Sequence, residues 1–122
     1  MSPKPTLRGI RACVFDAYGT PQMLEAAVKN SGLETLIPEI FSVEKAGVFK
    51  PDPRVYQIAV DELNVEPQEI AFQSSNAWDA AGAAAFGFKV AWINRFDQRP
   101  ERLPGKPDVE IQSLSELPGL LV

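Results

Sequence analysis

The sequence predicts an α/β domain of three layers, in which helices cover both faces of a mostly parallel sheet. Short apolar runs typical of buried strands alternate along the chain with segments of helical periodicity. The chain has 122 residues, of which 45 % are hydrophobic, a length and composition typical of one domain with a buried core. We therefore expect a single domain over residues 1–122.

The predicted strands are apolar runs that end at polar or turn-forming residues. They span Ile10–Phe15, Ile70–Phe72, Phe88–Ile93 and Val109–Ile111, and Ile40–Val43 is a further candidate. Cys13 lies inside the first run, where we expect a small buried side chain.

Three segments carry apolar residues at helical spacing. They are Gln22–Asn30, Arg54–Leu63 and the alanine-rich Ala77–Phe86. Gly32 and Gly87 stand where a helix commonly ends in a left-handed residue. The proline-rich residues 96–107 are expected to form a surface loop.

Composition excludes several classes of function. The net charge is −4 without a basic run, so nucleic acid and anionic membranes are poor partners. The chain has no histidine and one cysteine, which excludes Ser-His-Asp and Cys-His catalysis, histidine-based zinc sites and an intrachain disulfide. No apolar run reaches signal-peptide or membrane-span length, so we expect a cytoplasmic protein.

Chemistry-bearing residues follow the predicted strands. Asp16 ends the first strand, Ser74 and Asn76 follow another, and Lys50 lies in a loop with prolines. Because ligands of open α/β sheets bind beyond the carboxyl ends of the strands, we expect these side chains at one site. Taken alone, an aspartate in the pattern Asp-x-x-Gly-Thr is more often a turn former or a helix cap than a catalytic residue.

Three motifs carry a resemblance to a known family. Phe15–Thr20 (FDAYGT), Val48–Pro53 (VFKPDP) and Ser74–Asp79 (SSNAWD) resemble, in this order, the first, third and fourth motifs of the haloacid dehalogenase superfamily. The match is best to its L-2-haloacid dehalogenase branch. The resemblance implies a Rossmann-like core of the haloacid dehalogenase type.

The motifs depart from those of the phosphatases in the superfamily. Phosphatases carry a second aspartate two residues after the nucleophile, where this chain has Tyr18, and an aspartate where this chain begins Ser74–Asn76. A halide needs no proton to leave, so Tyr18 is compatible with cleavage of a carbon–halogen bond. Too few carboxylates remain for Mg²⁺; we therefore expect no metal and no cofactor.

The resemblance implies hydrolysis of an L-2-haloacid to a 2-hydroxy acid. Asp16 would be the nucleophile that forms an ester with the substrate, and Lys50 would hold it ionised. Ser74 and Asn76 would hydrogen-bond the carboxylate and place the water, and Asp79 would hold the lysine. Two weaker assignments stay open: Thr20 is a site threonine or a helix cap, and Tyr56 lies near the substrate or in the core.

The family's cap domain and second motif, a strand ending in Ser-Asn-Gly, are missing between Thr20 and Pro21. Either the chain carries a deletion or the sequence joins two segments of a longer protein. Because an empty strand position beside the first strand would leave backbone groups unpaired, we expect Thr20 and Pro21 farther apart than the ~3.8 Å of a trans peptide bond.

Three functions remain in competition. The first is the dehalogenase, with a small 2-haloacid as its substrate and, since dimers are common in the family, a homodimer as one expected assembly. The second is an inactive core that serves as a binding or oligomerisation module, and the third is a phosphatase. The absent second motif favours the second reading, and Tyr18 opposes the third.

Overall fold

The structure is a computed structural model of the chain. It describes residues 6–17, 21–33, 39–42 and 46–121. Within these residues the chain forms one four-stranded sheet with helices packed against it, so the predicted α/β class is confirmed. No helix in the described part is long and apolar enough to cross a membrane.

The sheet is parallel throughout, in the order β1-β2-β3-β4. The strands are β1 (Ala12–Phe15), β2 (Ile70–Ser74), β3 (Lys89–Ile93) and β4 (Val109–Ile111). The register places Phe15 beside Gln73 and Ser74 beside Trp92. Asp16 and Ser74 therefore lie at the same, carboxyl edge of the sheet.

Three α-helices follow the predicted segments closely. They are α1 (Pro21–Asn30), α2 (Pro53–Leu63) and α3 (Ala77–Phe86). The carboxylate of Asp52 accepts a hydrogen bond from the Arg54 amide, and Pro53 occupies the first turn of α2, so the sequence itself starts this helix. Asn64 ends α2 in the left-handed conformation, and Gly87 ends α3. Short 3-10 turns span Pro67–Glu69, Leu114–Glu116 and Pro118–Leu120.

Apolar side chains cover both faces of the sheet in two separate clusters. On one face, Tyr56 of α2 packs against Phe72 and Phe88 with edge-on ring geometry. On the other face, Leu7, Leu117 and Leu120 cover the strands. All five residues of β2 are buried because β2 has a neighbour at each edge and a layer on each face.

The first strand differs from its prediction. It is shorter than Ile10–Phe15, and its side chains are alternately half-buried and exposed. Cys13 is exposed, so the expectation of a buried thiol is wrong. The physical reason is position: in the described part of the chain β1 pairs with β2 alone, and Cys13 and Phe15 face away from the aromatic core.

The candidate strand Ile40–Val43 is absent from the described residues that it covers. Residues 40–42 belong to no strand, and Val43 lies outside the described part. A strand is defined by its ladder, and no described segment pairs with residues 40–42. The predicted separation of Thr20 and Pro21 also falls outside the described residues, because Thr20 is not among them.

Candidate active site

Four separate segments meet at the carboxyl edge of the sheet. Asp16 directly follows β1, and Ser74 is the last residue of β2. Asp79 lies in the first turn of α3, and Lys50 precedes the Pro51–Pro53 segment that leads into α2. These four side chains are up to 63 positions apart in sequence, from Asp16 to Asp79, and only the parallel topology brings them together.

The centre of the site is an ammonium group between two carboxylates. Lys50 Nζ lies 2.8 Å from Asp16 Oδ1 and 3.0 Å from Asp79 Oδ2. The exposed fraction of the side chain is 17 % for Lys50, 16 % for Asp16 and 0 % for Asp79. The cluster thus places two carboxyl groups against one ammonium group, and Asp16 is its more accessible carboxyl group.

Burial and the two carboxylates act on Lys50 in opposite directions. Desolvation lowers the pKa of Lys50, but the hydrogen bond to Asp16 and the charges of Asp79 and Asp16 outweigh it, so that the pKa is raised. Lys50 is therefore fully charged at neutral pH.

Tyr56 holds the second oxygen of Asp79. Its hydroxyl donates to Asp79 Oδ1 over 2.8 Å, and the ring is 2 % exposed. Burial first, and then the charge of Asp79, raises the pKa of Tyr56, so the hydroxyl keeps its proton and remains a donor. With Lys50 on Oδ2, both oxygens of this buried carboxylate are fixed.

The hydroxyl of Ser74 links the strand end to the next turn. It accepts a hydrogen bond from the Asn76 amide at 3.1 Å and lies 3.5 Å from Asp16 Oδ2. The latter distance is at the weak limit for a hydrogen bond between oxygens. Oδ1 of Asp16 is thus held strongly by Lys50, while Oδ2 is held only weakly.

The structure brings together most of the predicted site residues. Lys50 contacts both Asp16 and Asp79, Ser74 contacts Asp16, and the backbone amide of Asn76 donates to Ser74. Tyr56 reaches the site through Asp79. Thr20 lies outside the described residues. The catalytic and substrate-binding roles of these residues stay predictions.

Sequence reasoning missed Gly82 in the middle of α3. A Cβ atom at this position would lie 2.5 Å from Pro51 Cβ and 2.8 Å from the Tyr56 hydroxyl. The missing side chain therefore lets the Lys50 loop and Tyr56 approach α3 closely. A single glycine within the alanine-rich run AWDAAGAAAF was the signal that pointed to this contact.

Gln73 is a second residue that the sequence did not single out. It lies in β2 and is 1 % exposed, and neither polar atom of its side-chain amide has a hydrogen-bond partner within the described part of the chain.

Among the residues that the structure describes, no group of three histidine, cysteine, aspartate or glutamate residues is arranged to hold a metal ion. The cation between Asp16 and Asp79 is the Lys50 ammonium.

The aspartate–lysine–aspartate cluster lies at the carboxyl edge of a parallel sheet, the edge at which open α/β sheets bind their ligands. Residues 19–87 match the family described as haloacid dehalogenase-like hydrolase. The chain belongs to this family.

Two curated relatives are similar to almost the whole chain. The chain is 41 % identical over 121 residues to (S)-2-haloacid dehalogenase 1 of Pseudomonas sp. (strain CBS-3), covering 96 % of this chain and 53 % of the relative. It is 45 % identical over 103 residues to (S)-2-haloacid dehalogenase 4A of Burkholderia cepacia, covering 84 % and 45 %.

The chain is also similar in fold to a solved L-2-haloacid dehalogenase structure. The L-2-haloacid dehalogenase of Xanthobacter autotrophicus with chloropropionic acid covalently bound superposes with a TM-score of 0.76 at 34 % identity, covering 84 % of this chain and 51 % of that one. The chain therefore spans about half the length of the curated relatives it matches.

Proposed function

We propose that this chain carries the nucleophile and its supporting groups for hydrolytic dehalogenation of (S)-2-haloacids to 2-hydroxy acids. The observation that carries the proposal is the position of Lys50, which lies within 3.0 Å of both Asp16 and Asp79. This arrangement places an ammonium group against an accessible carboxylate, the kind of group that acts as a nucleophile in covalent catalysis.

In the first step, Asp16 Oδ2 attacks the carbon that bears the halogen. A carbon–oxygen bond forms as the carbon–halogen bond breaks, and the halide leaves with the bonding electrons. Oδ2 suits this role because Oδ1 is occupied by Lys50, whereas Oδ2 has only the 3.5 Å contact with Ser74. The product of this step is an ester between Asp16 and the acid.

In the second step, water attacks the carbonyl carbon of the Asp16 ester. The 2-hydroxy acid leaves with the ester oxygen, one proton is released, and the Asp16 carboxylate is restored. Asp79 keeps Lys50 in place throughout, since Tyr56 and Lys50 hold its two oxygens. The covalently bound chloropropionic acid of the Xanthobacter relative supports a covalent route.

The test is halide release from (S)-2-chloropropionate, with the (R) isomer as a control. We expect that a single turnover in ¹⁸O-labelled water leaves the label in Asp16 rather than in the product, as mass spectrometry would detect. The variant Asp16→Asn should abolish release, whereas Asp61→Asn, on the exposed face of α2, should retain it.

A failed test would favour one of the two other functions. Label found directly in the product would exclude the ester route. If (S)-2-bromopropionate yields neither free halide nor an adduct on Asp16, the result would favour an inactive binding module. Magnesium-dependent hydrolysis of p-nitrophenyl phosphate would favour the phosphatase.

A further inference from the structure

The ammonium group of Lys50 lies over aromatic rings as well as between two carboxyl groups. Its Nζ is 5.3 Å from the centre of the Phe72 ring and 6.0 Å from the centre of the Tyr56 ring. The face of an aromatic ring carries partial negative charge, and it attracts a cation within about 6 Å of the ring centre. Phe72 is therefore within the range of this attraction, and Tyr56 is at its limit.

The Phe72 ring is packed firmly between its neighbours. Phe88 stacks on it with the ring centres 5.5 Å apart, and Tyr56 meets it at a right angle with the centres 5.8 Å apart. Phe72 is 4 % exposed, and the side chain of Lys50 is 17 % exposed. Because little water separates the ring from the ammonium group, their attraction is stronger than that of an exposed pair.

The carboxyl group of Asp16 and the ring of Phe72 respond differently to the proposed reaction. When Oδ2 forms the ester, the Asp16 carboxylate becomes a neutral group, and Oδ1 becomes the carbonyl oxygen of the ester. Lys50 Nζ lies 2.8 Å from this Oδ1. Asp79 of α3 is then the remaining carboxyl partner of the ammonium group. The negative face of the Phe72 ring does not depend on the state of Asp16.

The position of the ring matters for the second step. Phe72 lies in β2 and is in register with Val14 of β1, so its ring attracts the ammonium group toward the sheet edge that carries Asp16. When water adds to the ester carbon, the electron pair of the carbonyl bond moves to Oδ1. An ammonium group beside Oδ1 stabilises this negative charge, so its position affects hydrolysis of the ester directly.

We propose that Phe72 is a positioning residue for Lys50, whose ammonium group it keeps beside Oδ1 of Asp16 while Asp16 is esterified. The attraction between ring and ammonium group follows from their distance, whereas its effect on the ester rests on the proposed function. Tyr56 offers no clean test, because its hydroxyl also binds Asp79.

Phe88 is the matched control for Phe72. It is 3 % exposed and belongs to the same core cluster. Within the described part of the chain, the ammonium group of Lys50 lies over no ring but those of Phe72 and Tyr56. A change of the Phe88 ring therefore disturbs the same core without touching the proposed contact.

The first experiment measures the attraction without any substrate. Fluorine withdraws charge from the face of a ring, so replacement of Phe72 by 3,4,5-trifluorophenylalanine weakens its pull on a cation. The background is Asp16→Asn, whose neutral amide resembles the ester. NMR of the Lys50 ¹³Cε atom follows its titration.

We expect trifluorination of Phe72 to lower the proton affinity of Lys50 about threefold. Replacement of Phe72 by 4-fluorophenylalanine, with one fluorine, should lower it less. Trifluorination of Phe88 should leave it unchanged. A merely structural role of Phe72 would not produce this graded and position-specific response.

The second experiment separates the two steps in a single turnover of (S)-2-chloropropionate by the chain with its native Asp16. Halide release reports formation of the ester, and mass spectrometry of the protein reports its loss. Trifluorination of Phe72 should slow hydrolysis of the ester about threefold and its formation less, so that ester accumulates on Asp16. Trifluorination of Phe88 should change neither step.

Separate results would overturn the two parts of the proposal. A proton affinity of Lys50 that falls equally for Phe72 and Phe88, or for neither, would show that the Phe72 ring does not attract the ammonium group. Equal slowing of both steps would exclude the role in the ester. If the unmodified chain releases no halide but the NMR difference is present, the proposed function fails and the attraction stands. If the trifluorinated chain fails to fold, the 4-fluoro replacements of Phe72 and Phe88 decide the same comparison.

Discussion

The sheet is packed less completely at its edge strand β1, called the open side below, than from β2 onward, called the packed side. All five residues of β2 are buried, whereas β1, which is adjacent and parallel, alternates between half-buried and exposed residues. Both strands have apolar sequences. The difference lies in their neighbours, since β2 lies between β1 and β3 and β1 borders a cavity.

The site lies across the boundary between these two sides. Asp16 comes from the open side, and Tyr56 and Asp79 come from the packed aromatic core. Lys50 connects the two carboxylates. The packed side therefore supplies a rigid support, and the open side supplies the accessible group that would react. Four predictions follow from this difference, in order of decreasing effect.

The two carboxylates should contribute very differently to stability. Asp79→Ala removes a fully buried partner of Lys50 and Tyr56, and it should lower the free energy of unfolding by about 3–5 kcal/mol. Asp16→Ala leaves Lys50 paired with Asp79, and it should cost about 1 kcal/mol or less. Urea unfolding measures both, and equal losses would contradict the division into two sides.

Two valines allow the same substitution on each side. Val90 of β3 is fully buried, and Val90→Ala should cost about 2 kcal/mol through lost burial and a residual cavity. Val14 of β1 is half-buried beside the open cavity, and Val14→Ala should cost less than about 1 kcal/mol. A larger loss at Val14 would show that β1 is packed in solution.

Gly82→Ala tests the close contact behind the site. In an open helix this change stabilises by up to about 1 kcal/mol. Here the new Cβ atom would meet Pro51 and the Tyr56 hydroxyl, so we expect a loss of about 1–3 kcal/mol. Gly119→Ala is the matched control, because a Cβ atom there has no neighbour within 4 Å. Thermal unfolding of both variants measures the change in stability, and a stabilised Gly82→Ala variant would contradict the prediction.

The fourth prediction concerns how stability depends on pH, and near neutral pH it is the smallest of the four effects. The pKa values of Lys50 and Tyr56 are raised from their ordinary 10.5 and 10.0. Above pH 10 the unfolded chain releases these protons first, so it binds fewer protons than the folded chain and stability falls as pH rises. Below pH 10 their contribution is fully present. Tyr56→Phe should flatten the alkaline decrease in urea unfolding, and an unchanged decrease would contradict this cause.

The local elements were predictable from sequence because their signals are local. Asp52 and Pro53 start α2, and Gly87 ends α3. The predicted bounds of α3 and β4 are those observed. Asp16 and Ser74 were correctly placed at one edge, since parallel strands end on the same side of a sheet.

Burial was less predictable, because it depends on which segments lie alongside. The sequence of β1 reads as a buried strand, yet Cys13 is exposed where the described chain provides one neighbour only. Residues 40–42 have strand-like composition, yet no described partner pairs with them. An apolar pattern shows which side chains of a segment are suited to burial. It does not show which other segments are present to cover them.

The sequence by itself determined the family, the parallel α/β class and the residue types available for catalysis, because motifs, periodicity and composition are properties of the chain. Only the tertiary structure decided that Lys50 bridges Asp16 and Asp79, that Tyr56 fixes Asp79, and that β1 borders a cavity. These are distances between segments far apart in sequence, and such distances exist only after the chain has folded.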